Sequence, residues 1–203
     1  MADGKVCTGF SFPYVALYSA NGTTVTYSGA RPLARGVSVS IAPEVSNDNS
    51  FYANNIMAES APGVFTGGTV TLTVDGLKTD AETMVFGLPE PETVTVGEQP
   101  VKVQAYGDAM AIPYVGIGFI ARYMSGGAVT YAPVVLTKAR FKTPGQDAAT
   151  QEAEIDWQTQ ELEATLMRDD SANHNWKKVA EDQATESAAL AALIAMLGGA
   201  SGV

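Results

Sequence analysis

The chain has 203 residues and a formal charge of −10, with 12 Lys and Arg against 22 Asp and Glu. That balance argues against sequence-independent binding to nucleic acid, whose phosphates need clustered cations, although DNA can still be a neighbour that slides past without sticking. The length suits one domain spanning 1–203, which removes roughly 70% of its unfolded surface from water and so needs neither disulfide nor metal to fold.

A single cysteine, Cys7, cannot form an internal disulfide. No charged-then-apolar leader opens the chain, and no run of about eighteen apolar residues follows, so the expected product is soluble, made in a cytoplasm and without a membrane partner. Residues 1–12 read as an N-terminal arm. Tyr14 to Ser19 and Thr23 to Ser28 then flank Asn21-Gly22, a dipeptide suited to a tight hairpin turn. Asn21-Gly22-Thr23 also matches a glycosylation sequon, but without a secretory leader the turn is the better reading.

Gly36 to Ala42 alternates, with Val37, Val39 and Ile41 on one face and Ser38 and Ser40 on the other. Residues 43–64 read as a long polar loop with at most a short strand near Phe51. Loops of that length in a compact domain usually carry function or a neighbour's contact. Its candidates for contact between subunits are Asn47, Asp48, Asn49, Phe51, Tyr52, Asn54 and Asn55. Gly68 to Asp75 is a clear strand: Val70, Leu72 and Val74 point inward, Thr69, Thr71 and Thr73 outward.

A short helix is predicted over about 79–88. Thr79 and Glu82 have capping-box spacing, Ala81, Met84, Val85 and Leu88 form the apolar stripe, and Pro89 stops it. Brief strands follow at Thr93 to Val96 and Pro100 to Tyr106. From Tyr114 the pattern lengthens into three strands. In the first, Val115, Ile117, Phe119, Ala121 and Tyr123 share a face, with Gly116, Gly118 and Arg122 opposite. Ser125-Gly126-Gly127 turns the chain into a second strand, about Val129 to Lys142. A third shows Glu152, Glu154 and Asp156 on one face and Ala153, Ile155 and Trp157 on the other. Pairing the last two sets Lys142 against Glu152, Arg140 against Glu154 and Lys138 against Asp156, a solvated cross-strand charge ladder with Phe141 and Ile155 on the buried side. Thr159 to Met167 alternates in shifted phase, with Leu162, Ala164 and Leu166 on one face and Glu161, Glu163 and Thr165 on the other. Residues 169–203 form a C-terminal segment whose Leu190, Leu193, Ile194 and Leu197 predict an amphipathic helix over about 184–197.

No catalytic, cofactor-binding or metal-ligating set emerges. His174, the one histidine, sits in a polar Asn-His-Asn context that suits a surface or capping role. Gly116-Ile117-Gly118 lies mid-strand and opens no helix, so it belongs to no dinucleotide fingerprint. Trp157 reads as core; Trp176 suits either packing or an exposed contact.

The ordered pieces resemble a known family. They are Ser50-Phe51-Tyr52-Ala53-Asn54-Asn55; the run from Phe65 to Leu77 leading into a helix ending near Gly87; Tyr114-Val115-Gly116-Ile117-Gly118-Phe119; Lys138-Ala139-Arg140-Phe141; and Trp157-Gln158-Thr159 running into Glu163-Ala164-Thr165-Leu166. Together they span about residues 10 to 197 and resemble the major tail proteins of long, non-contractile-tailed bacteriophages, the phi13-like family. One departure is Gln160, where family members often carry proline after the threonine. The resemblance implies a mainly β fold, a β-sandwich or barrel of tail-tube type, as a structural virion protein without catalysis. It implies hexameric rings stacked into a tube, assembled in the host bacterial cytoplasm around a tape-measure protein and joined to neighbouring tail proteins. DNA would pass through as cargo, not specifically bound. An acidic subunit suits a lumen that repels phosphate, and Glu161 and Glu163, with no evident mates, are its lumen candidates. The competing readings are an immunoglobulin-like adhesin or carbohydrate-binding module, with Tyr52, Tyr106 and Trp176 as scattered aromatic candidates, and another virion or secretion-tube part.

Overall fold

The computed structural model describes residues 4–146, 148–150 and 157–199. In chain order the elements are β1 (Val6–Asn21), β2 (Thr24–Pro32), β3 (Gly36–Val45), β4 (Asn49–Ala53), β5 (Ile56–Ala61), β6 (Phe65–Val74), α1 (Thr79–Phe86), β7 (Glu92–Val96) and β8 (Gln99–Val103). They continue with β9 (Val115–Ser125), β10 (Ala128–Phe141), β11 (Gln160–Met167), β12 (Lys177–Val179) and α2 (Glu186–Met196). The chain is mainly β with two short helices, as its alternation predicts. One antiparallel sheet runs β2-β1-β9-β10-β11-β6-β3, with β12 added to β10.

Alternation explains which face each strand buries. In β6, Val70, Leu72 and Val74 are buried between threonines, and in β11 Leu162, Ala164 and Leu166 are buried in alternation with Glu161, Glu163 and Thr165. The sheet curls so that Phe10 of β1 lies against Gly36 of β3, where even a methyl group would meet the ring. The enclosed core joins Val15, Leu72, Ile117, Leu136 and Leu166 to Val85 and Phe86 of α1. Edge-on ring pairs, Phe10–Phe119 at 6.0 Å and Phe86–Phe141 at 6.2 Å, tie its ends.

A second apolar layer covers the opposite face of β9 and β10. There Ala189, Leu193 and Leu197 pack on Ala16, Ile120 and Val135. Each buried leucine contributes about 1.5–3 kcal/mol, which an eleven-residue helix needs because its own hydrogen bonds leave it marginal. Thr185 caps α2 by accepting from the Ala188 amide at 3.3 Å. Gly116 and Gly118 make the seat. A Cβ at 118 would stand 2.8 Å from a Leu193 methyl and 2.9 Å from one of Leu197. The middle of β9 and β10 is therefore buried on both faces, where the sequence suggested a solvated ribbon.

Several expectations are corrected. The ladder fails on its cationic side: Lys138–Phe141 pairs on one edge with β11, from Lys138↔Met167 to Phe141↔Ala164, and on the other meets β9 at Ala139↔Val115. The whole of one edge from Lys138 to Phe141 is thus taken by β11, and the other is engaged at Ala139. Its acidic rungs, Glu152, Glu154 and Asp156, lie with Ile155 outside the described residues. Trp157 is 83% exposed, not core. The capping box does not form, because Lys78 is the N-cap without a side-chain bond, while Glu82 accepts from the Tyr106 hydroxyl at 2.6 Å. Val37 is exposed at a register shift between Gly36 and Ser38. The expected arm is strand from Val6 onward, paired with β9.

Candidate assembly surface

The expected loop at 43–64 is largely a hairpin. β3 runs on to Val45, and β4 and β5 pair from Asn49↔Ala61 to Ala53↔Ile56. Asn54 (φ 52°) and Asn55 (φ 64°) fill the turn, both in the left-handed region that a type I′ hairpin requires and asparagine tolerates. The sequence signal for this turn is Asn-Asn between Phe51-Tyr52-Ala53 and Ile56-Met57. The base is pinned by backbone: the Ser46 amide donates to Val64 O at 2.9 Å, and the Val64 amide to Ser46 Oγ at 3.0 Å. Asp48 Oδ1 accepts from the Gly63 amide at 2.8 Å.

Among the predicted contact residues, Asn47 is exposed just before β4, Asp48 holds the base, Asn49 opens the ladder, and Asn54 and Asn55 make the turn. Phe51 stands opposite Glu59 and Tyr52 opposite Met57. Strand geometry sends Phe51 and Ile56 to one face, Tyr52 and Met57 to the other. All four are exposed, Ile56 at 71%. Any Cβ at position 63 would run into the Ser46 carbonyl. Gly63→Ala is therefore expected to open this hairpin to proteolysis between 46 and 64 while leaving the melting temperature of the main sheet within about 2 °C. Limited digestion beside a thermal melt checks both.

β7 and β8 form a second outlying hairpin, paired from Glu92↔Val103 to Val96↔Gln99 and turned at Gly97. The register places Val94, Val96, Val101 and Val103 on one face, each 44–64% exposed, and Thr93, Thr95 and Lys102 on the other. The alternation predicts both strands but not their pairing. The two hairpins thus gather eight of the eighteen exposed large apolar side chains among the described residues, and β6 receives the chain from the first and passes it through α1 to the second.

The predicted charges find other partners. Lys138 donates to Asp170 Oδ2 at 2.7 Å, as does the Tyr18 hydroxyl at 2.7 Å. Lys138 also lies over the Tyr18 and Tyr114 rings, at 5.0 and 4.9 Å. Arg140 stands 5.8 Å over Tyr114. Lys142 bonds Glu163, so that lumen candidate has a mate after all. Glu161 is exposed and shares with Glu163 a groove of about 720 Å³ that also includes Asp75, Glu82 and Tyr106. Asp75 is held by Arg35 and Glu82 by Tyr106, so most of the groove's acids already have partners.

The Lys138 hydrogen bond, then that of Tyr18, holds the Asp170 carboxyl below its ordinary value; Lys5 and then Thr130 do the same for Asp182. A depressed carboxyl contributes stability above its unfolded pKa and loses it as pH falls through the folded one. Burial, then the bond to Asp170, pushes Tyr18 up to about 12. Its contribution is whole below the unfolded value of 10.0 and is lost as pH rises toward about 12. Thermal melts against pH should show Asp170→Asn losing less stability than the parent chain below about pH 4, and Tyr18→Phe losing less above about pH 10. Parallel profiles would remove this account.

Asp169 is buried, and its Oδ1 accepts from the Ser171 amide and hydroxyl at 3.2 and 2.5 Å. His174 (φ 49°) belongs to the same turn, donating its amide to Ser171 O at 2.9 Å with Nδ1 3.2 Å from Asp169 O. Trp176 is stacked on Phe65 at 5.0 Å, which settles its role as packing. Among the described residues no three His, Cys, Asp or Glu side chains gather to hold a metal, and no helix is long and apolar enough to cross a membrane. A scan against protein-family models and a search of the curated proteins gave no match to this chain.

Proposed function

We propose that this chain is a self-assembling structural subunit of a bacteriophage tail tube, without catalysis, forming six-membered rings that stack into a hollow conduit for genome delivery. The carrying observation is the pair of outlying hairpins with open apolar side chains. A lone two-stranded hairpin is marginal in water, and clustered exposed apolar groups mark contact surfaces. The hairpins differ from each other, so a copy using one against another part of its neighbour makes a head-to-tail contact. Such contacts generate rings when the rotation closes and filaments when it does not. The motif resemblance adds the tail-tube identity, a tape-measure protein within, and DNA as cargo. The net charge of −10 suits a wall that must not hold phosphate, with Glu161 the more open of the two lumen candidates.

Negative-stain microscopy across a concentration series tests this. Rings or tubes are expected from the parent chain. Val96→Asp with Val101→Asp, and separately Phe51→Ser with Ile56→Ser, should yield only small single particles with melting temperatures within about 2 °C of the parent, because solvent-facing changes cost little folding energy. Protease protection of residues 43–64 should rise on assembly. Variants that assemble like the parent would overturn the hairpin contacts, and a parent chain dispersed at every concentration, alone and with tail-tip proteins, would overturn the tube.

A further inference from the structure

We draw no further inference here: the strongest candidate, the open four-valine face of the β7–β8 hairpin, belongs to the assembly surface already described, and nothing in the structure shows what covers it.

Discussion

Gly87→Ala should be among the most damaging single-methyl changes in the protein, lowering stability by about 3 kcal/mol or more. Gly87 ends α1 in the left-handed region, at φ 56°, with its amide returned to Thr83 O. There a side chain costs about 1–2 kcal/mol from its own backbone. The larger part comes from packing. The Ala111 amide donates to Gly87 O at 3.0 Å, which brings the strand of chain at 111 so close that a Cβ would collide with the Ala111 carbonyl. Backbone cannot swing aside as a side-chain tip can, so α1 and the 110–112 crossing must separate. For a domain of this size that corresponds to a melting temperature lower by roughly 6–12 °C. Gly97→Ala is the control. Its φ of 66° carries the same conformational cost, but nothing lies within 4 Å of the new methyl, so its melt should shift by a few degrees at most. Equal shifts in the two variants would mean that the Ala111 contact contributes nothing.

Phe86→Ala should cost about 3–5 kcal/mol, read as a denaturant midpoint shift with an unchanged slope. Phe86 is fully buried at the end of α1, and its ring meets Phe141 of β10 edge-on at 6.2 Å. It is thus the point where the helix locks onto the curled sheet. The sheet cannot collapse into the vacated volume without moving β10, which is already paired on both sides. Phe86→Leu keeps most of the volume and should cost markedly less. A loss below about 1 kcal/mol for the alanine variant would show that α1 is not part of the cooperative core.

Much of this architecture is legible in the residues. The alternations in 68–75 and 160–167, the Asn21-Gly22 turn, and both helices stand within a few residues of where the pattern puts them. Each rests on a local cause: strand side chains alternate by backbone geometry, helical ones recur every three or four residues, and glycine or proline ends both. The hairpin at 49–61 is read from the sequence as a loop because its composition is polar, although Asn54 and Asn55 carry the turn signal.

The candidate surface was legible only in part. Phe51, Tyr52 and their neighbours could be singled out by the length of their polar segment, whereas the valine face of β7 and β8 needed the pairing Val94↔Val101 to exist at all. The charge ladder shows why. Lys138, Arg140 and Lys142 alternate equally well against 152–156 and against the strand that holds Glu163. Every strand offers the same backbone donors and acceptors, and exposed ion pairs contribute too little to choose between partners. β11 takes the place beside β10 while bringing Leu162, Ala164 and Leu166 into the core. Likewise Gly116 and Gly118 read as small residues on a strand, and only the fold makes them the seat of Leu193 and Leu197. The sequence by itself determined which residues of an element share a face, since that follows from local geometry. Which strand lies beside which, and what each glycine is for, was decided by the tertiary structure, because burying all the apolar faces at once is a property of the whole chain.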